Sequence, residues 1–96
     1  DPVRAADIVR RSVPGAATAL IEHATAFVAR ARELDLDKPP GAAETIDWVA
    51  ALVALRVGDL VDPAATAALS TLGKTPDDSE ALRRAFSEYR TQLAAG

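Results

Sequence analysis

Three times along the chain a capping residue is followed at once by proline: Asp1-Pro2, Asp62-Pro63 and Thr75-Pro76. Asp and Thr side chains accept hydrogen bonds from the free N–H groups of a helix's first turn. Proline, which has no N–H to leave unpaired, fits the first helical position. Each pair therefore writes a helix start. Ser12-Val13-Pro14-Gly15, Pro39-Pro40-Gly41, Gly58 and Gly73 fall between stretches of helical periodicity, as punctuation. No segment alternates apolar and polar residues over a strand's length. Alanine, the best helix former, makes up nearly a quarter of the chain. The expected fold is all-α, a small bundle of about five helices in a single domain over residues 1–96.

The periodicity places the elements. A first helix runs from Pro2 to about Arg11, with Val3, Ala6, Ile8 and Val9 as its apolar positions. The second spans about Ala16 to Leu34. Its apolar residues Ala17, Leu20, Ile21, Ala24, Phe27, Val28, Ala31 and Leu34 recur at three and four, the spacing of one helical face. Leu36 to Gly41 cannot continue a helix, because Pro39 and Pro40 lack donors and disfavour helix before them. A third helix covers about Ala42 to Val57, with Gly58 as its stop. It is apolar on more than one stripe, through Ile46, Trp48, Val49, Leu52, Val53, Leu55 and Val57, and so should lie centrally. A short fourth helix ends at Leu72-Gly73. The fifth, capped by Thr75 with Asp78 as the acid of a variant capping box, carries Leu82, Ala85, Phe86, Tyr89 and Leu93 on one face. Trp48, Phe27 and Phe86 are the expected centre of the core.

Composition removes several functions. The chain has no cysteine and a single histidine, so thiol chemistry, disulfides, Cys-based zinc sites and histidine-rich metal sites are excluded. A net charge of −3 argues against electrostatic nucleic-acid binding. No apolar run approaches the ~20 residues of a membrane span, and a cytoplasmic location is expected. The chain begins at Asp1 and contains no methionine, which reads as a fragment or a cleavage product.

The residues that invite a chemical reading are few. Ala68-Leu69-Ser70-Thr71-Leu72-Gly73-Lys74-Thr75 satisfies a relaxed phosphate-binding-loop pattern. That chemistry needs a preceding strand and a helix starting at the lysine, whereas here helical residues precede it and the next helix starts too late. The segment reads as a helix stop with a solvated lysine. His23 reads as a boundary histidine with one hydrogen bond, for want of a nucleophile and an orienting partner. Asp35, Asp37, Asp59 and Asp62 match no calcium-loop spacing; Asp62 reads as an N-cap, and Asp35 and Asp37 as helix-terminating residues. The pairs Arg10-Arg11, Arg30 with Arg32, and Arg83-Arg84 read as solvated faces or dipole partners, with contact to an acidic surface or a nucleotide phosphate as the alternative. Trp48 reads as a core anchor, not a stacking platform. No convergent catalytic set is present.

The stretch Leu34 to Leu52, above all Lys38-Pro39-Pro40 and Glu44-Thr45-Ile46-Asp47-Trp48, resembles the segment that follows the nucleotide-binding core in MoxR-type AAA+ ATPases. Ile8 to Pro14 resembles the first helix of that family's C-terminal lid and its exit. Ala26-Phe27-Val28 with Leu34 resembles the second, while Asp62-Pro63 and Leu72-Gly73-Lys74 fit the later ones.

The resemblance implies a non-catalytic helical lid that gates a nucleotide site and transmits ATP-driven motion in a chaperone-like ring. ATP and magnesium would be handled by an α/β domain upstream of Asp1, so the parent chain would be the ATPase. The implied partners are that domain, neighbouring subunits of a homo-oligomeric ring and a von Willebrand-type metal-binding protein, with no nucleic acid and no membrane. By analogy Ile8 and Val9 approach the adenine side. Gly41 through Thr45, with Ala43, Glu44 and Thr45, points toward the phosphates, where a helix N-terminus suits anions. Many AAA+ lids place a phosphate-sensing arginine there; this chain has Ala42, Ala43, Glu44 and Thr45. The competing expectation is a free-standing helical protein-interaction module.

Overall fold

A computed structural model describes residues 2–96; the capping role expected of Asp1 lies outside the described residues. The helices are α1 (Pro2–Ser12), α2 (Thr18–Ala31), α3 (Ala42–Ala54), a 3-10 helix η1 (Pro63–Thr71) and α4 (Pro76–Ala95). The chain is all-α, with no strand among the described residues. The elements pack in a closed circuit, α1 on α2, α2 on α4, α4 on η1, η1 on α3 and α3 on α1, with α2 against α3 across the middle.

The expected caps form. Asp62 Oδ1 accepts the Ala64 N–H at 2.9 Å, and Thr75 Oγ1 accepts the Asp78 N–H at 3.1 Å. The second half of the Thr75 capping box does not form, because the Asp78 carboxylate turns away to the connector before α3. There it accepts the N–H groups of Asp37 and Lys38, each at 2.9 Å. Glu44 caps α3 instead, its Oε1 accepting the Gly41 N–H at 2.8 Å.

Three element ends differ from the periodicity. α2 stops at Ala31, not Leu34, because its last turn tightens: Glu33 N–H bonds to the Arg30 carbonyl and Leu34 N–H to that of Ala31. Leu34 and Leu36 still pack on the core from this turn, which prolongs the apolar pattern beyond the helix. α3 ends at Ala54, and its stop is Arg56, not Gly58. Arg56 takes φ 60°, while its N–H bonds to the Val53 carbonyl and that of Val57 to the Leu52 carbonyl, both at 2.9 Å. This is a Schellman ending, sealed by the buried pair Val57 and Leu52. The fourth helix is 3-10 in form, its first turn closed by Ala65 N–H on the Asp62 carbonyl at 2.9 Å. Buried Ala65 and Ala68, and Leu69 and Leu72, are spaced by three, the interval at which 3-10 side chains eclipse.

All four aromatic side chains of the protein meet in one cluster. Phe27 is its hub, with ring centroids 5.8 Å from Trp48, 5.1 Å from Phe86 and 5.5 Å from Tyr89. Such edge-on and tilted pairs add stabilisation beyond area burial. Trp48 is fully buried, so its reading as a core anchor holds, although its Nε1–H meets no acceptor among the described residues. On α1 the core takes Ala6 and Val9, whereas Val3 and Ile8, expected among the apolar positions, face outward. No helix among the described residues is long and apolar enough to cross a membrane.

Candidate functional site

Helical spacing builds one cavity from three elements. On α1, Arg4, Ala5, Ile8 and Val9 form an i, i+4 stripe. On α2, Thr25, Val28 and Ala29, with Arg32 at its C-cap, form another, and the start of α3 contributes its N-cap Gly41 with Ala42 and Thr45. Together they line a cavity of about 370 Å³, within the usual size of small-molecule sites. Its walls are mainly apolar, its lining contains two arginines, and among the described residues no aspartate or glutamate lines it.

Two buried threonines, Thr25 and Thr45, are the neutral polar side chains among its described lining residues. Thr25 Oγ1 donates to the Ile21 carbonyl and Thr45 Oγ1 to the Gly41 carbonyl, each at 2.8 Å. With their hydrogens committed, both hydroxyls can only accept from a ligand.

Of the positions nominated by resemblance, Ile8, Val9, Gly41 and Thr45 meet in this cavity. Ala43 and Glu44 do not line it: Ala43 is exposed, and Glu44 is turned back on the Gly41 N–H. Sequence reasoning missed Arg4 and Thr25, and named Arg32 only in a pair with Arg30, read first as a solvated face or dipole partner with phosphate contact as the alternative. The signal was the interval of four that sets Arg4 beneath Ile8 and Arg32 beyond Val28 on their helices. α3 begins without a cation, and the cations of the cavity come from α1 and from the C-cap of α2.

The other sequence candidates resolve into structural roles. His23 Nδ1 lies 2.6 Å from Asp59 Oδ1, and the same oxygen accepts the Leu60 N–H at 2.7 Å. The pair ties α2 to the loop between α3 and η1. From the other side Arg90 donates to the carbonyls of Leu60 and Val61, at 2.8 and 3.0 Å, and lies over the Phe86 ring. Tyr89 donates to the His23 carbonyl at 3.3 Å. Burial raises the Tyr89 phenol above its ordinary value; nearby Arg30 opposes this and Asp59 reinforces it.

The phosphate-loop-like segment is helix, turn and helix: Leu69 and Leu72 are buried, and Thr75 caps α4. Gly73 is explained by packing, since a Cβ there would collide with Ser79, whose Cα would be only 3.0 Å away. Arg10 pairs with Asp7, and Arg83 and Arg84 share Glu80. Hydrogen bonds from Arg83 and then Arg84 hold the Glu80 carboxyl below its usual range. Arg30 bonds Gln92 and lies over the Tyr89 ring. No group of three or more His, Asp or Glu side chains among the described residues is arranged to hold a metal ion.

The chain matches no family model, no curated protein and no solved structure.

Proposed function

We propose that this chain is the helical lid of a MoxR-type AAA+ ATPase, a module that gates a nucleotide site and carries motion to neighbouring subunits without performing chemistry itself. The observation that supports the reading most is the cavity. Ile8 and Val9 were nominated from one stretch of sequence, and Gly41 and Thr45 from another more than thirty positions away, yet they line the same space. Its apolar walls and cationic lining suit one side of a nucleotide.

In this reading ATP supplies the free energy of hydrolysis, and magnesium is held by the α/β domain. The chain's own residues bind and orient. Ile8, Val9 and Val28 present apolar surface to the base, and Thr25 and Thr45 offer acceptors for its donors. The α1–α2–α3 junction transmits closure, because the lining of the cavity is drawn from three different helices and their caps. The exposed apolar residues Val3, Ile8, Leu55 and Val61 offer surface to the α/β domain and to adjacent subunits of the ring. A cytoplasmic chaperone ring with a von Willebrand-type partner belongs to the same proposal.

The test is to read the coding DNA for about two hundred codons upstream of Asp1, a length set by the usual size of one domain. The expected result is a strand–loop–helix with a complete phosphate-binding loop, followed by an acidic strand. A start codon or an unrelated domain in that place overturns the reading and favours the free-standing interaction module.

A further inference from the structure

We infer that Arg4 and Arg32 are the anion-contacting residues of the α1–α2–α3 cavity, and that its ligand joins a flat apolar body to a phosphate-type anion. The inference deepens the lid reading and rests on it for the source of the ligand, a nucleotide.

Charge accounting singles out these two side chains. Arg10, Arg30, Arg83, Arg84 and Arg90 are each committed to a carboxylate, an amide or backbone carbonyls. Among the described residues Arg4 and Arg32 have no such partner, and both line the cavity. Arg11 and Arg56 have no such partner either, but they line no cavity among those described. Two guanidinium groups, one on α1 and one at the C-cap of α2, with no acid in the shared lining among the described residues, make a region of positive potential suited to a planar or tetrahedral oxyanion. Glu44 is outside the lining, but it keeps its negative charge while it accepts the Gly41 N–H, so it tempers the positive potential on the α3 side and leaves the Arg4 and Arg32 side as the anion-contacting one. The positive end of α3 at Gly41 and Ala42 is already met by the first-turn carboxylate of Glu44, so the cationic character of the cavity rests on the two arginines.

The rest of the lining defines the other half of the ligand. Ala5, Ile8, Val9, Val28 and Ala29 offer no hydrogen-bonding side chain, so a ligand that were only an anion would leave this surface unused. Thr25 and Thr45 offer acceptors alone, which calls for N–H or O–H donors on the ligand. Anionic groups, an apolar face and peripheral donors together describe a nucleotide. Arginines from α1 and α2 thereby take the place of the cation that the start of α3 lacks.

The experiment is an NMR titration of the chain with ADP, adenosine and inorganic pyrophosphate, for the wild type and for the double variant Arg4→Gln, Arg32→Gln. Both arginines are exposed, so the variant should keep the fold, which its own spectrum verifies. The expected result is that ADP moves the methyl signals of Ile8, Val9 and Val28 and the amides of Ala42 to Thr45. The variant should bind ADP about tenfold more weakly while binding adenosine unchanged. No movement at about 10 mM ADP, a concentration that detects even millimolar binding, overturns the inference. So does a variant that binds ADP like the wild type. Pyrophosphate binding as tightly as ADP overturns the apolar half of the assignment. Arginine-independent ADP binding beside an upstream phosphate-binding loop overturns the arginine assignment while the lid reading stands. An unrelated upstream sequence overturns the lid reading, whatever the arginines do.

Discussion

Asp78, in the first turn of α4, accepts the backbone N–H of Lys38 on Oδ2 at 2.9 Å, joining residues forty positions apart. Its other oxygen accepts the Asp37 N–H, and the side chain is buried. A buried carboxylate is tolerable here because two N–H groups and the positive end of α4 surround it. The consequence reaches the candidate site, since the connector it grips leads through Pro39 and Pro40 to Gly41, which lines the cavity.

Removing that grip should be expensive. Asp78→Ala leaves two donors without their acceptor and should destabilise the protein by about 2–4 kcal/mol. Asp78→Asn should also destabilise, because its NH2 must face one of the two N–H groups. Urea unfolding monitored by Trp48 fluorescence measures both. A midpoint unchanged in Asp78→Ala would show that the connector is held by other contacts.

Arg56 offers a test of opposite sign. Its φ of 60° lies in the left-handed region, where a side chain carries a steric penalty and glycine does not. Arg56 makes no side-chain hydrogen bond or ion pair among the described residues that the substitution would sacrifice, and its side chain is exposed. Arg56→Gly should therefore stabilise by about 1 kcal/mol, seen as a higher denaturant midpoint. A loss of stability instead would mean that the arginine side chain holds something that the backbone geometry does not reveal.

These two positions also mark where the sequence stops being readable. Helix starts were legible because Asp62 and Thr75 act within three residues of themselves, and the aromatic core was legible because its members repeat at helical intervals. Asp78 with Lys38, His23 with Asp59 and Arg90 with Leu60 join residues 40, 36 and 30 apart. No local pattern announces such pairings. Gly58 drew the helix end away from Arg56 because glycine is the usual left-handed residue, and an arginine in that conformation has no sequence signature. At the cavity, Ile8 and Thr45 came through family resemblance alone. The sequence could not separate Arg32 from Arg30, which shared one reading as a solvated face with phosphate contact as its alternative, although Arg30 lies against Tyr89 while Arg32 lines the cavity.

The aromatic cluster yields a magnitude. Trp48 is fully buried against Phe27 and Phe86, and Trp48→Ala should cost about 3–5 kcal/mol, comparable to the whole net stability of a domain this size. Trp48→Phe should cost less, because the lost volume is smaller and an N–H without an acceptor goes with it. Circular dichroism melting separates them. A Trp48→Ala protein that melts within a few degrees of the wild type would make the indole peripheral and restore its reading as a contact residue.

Tyr89 carries the pH dependence at the alkaline end. Burial raises its phenol above 10.0, the ordinary value, with the positive Arg30 opposing and Asp59 adding to the rise. In the unfolded chain the phenol ionises near its ordinary value; in the folded protein it holds its proton to higher pH. Above about pH 10 the unfolded state therefore binds fewer protons than the native one, and stability falls as pH rises. The contribution is complete below the unfolded value and is lost progressively as pH climbs through the folded one. Tyr89→Phe keeps the ring against Phe27 and removes the ionisation. Its melting temperature should decline less steeply than that of the wild type between about pH 9.5 and 11.5, a window set around the ordinary tyrosine value. At neutral pH it should lose only the long hydrogen bond to the His23 carbonyl, worth about 0.5–1 kcal/mol. Parallel declines in the two proteins would assign the alkaline limb to other groups and remove Tyr89 from the account.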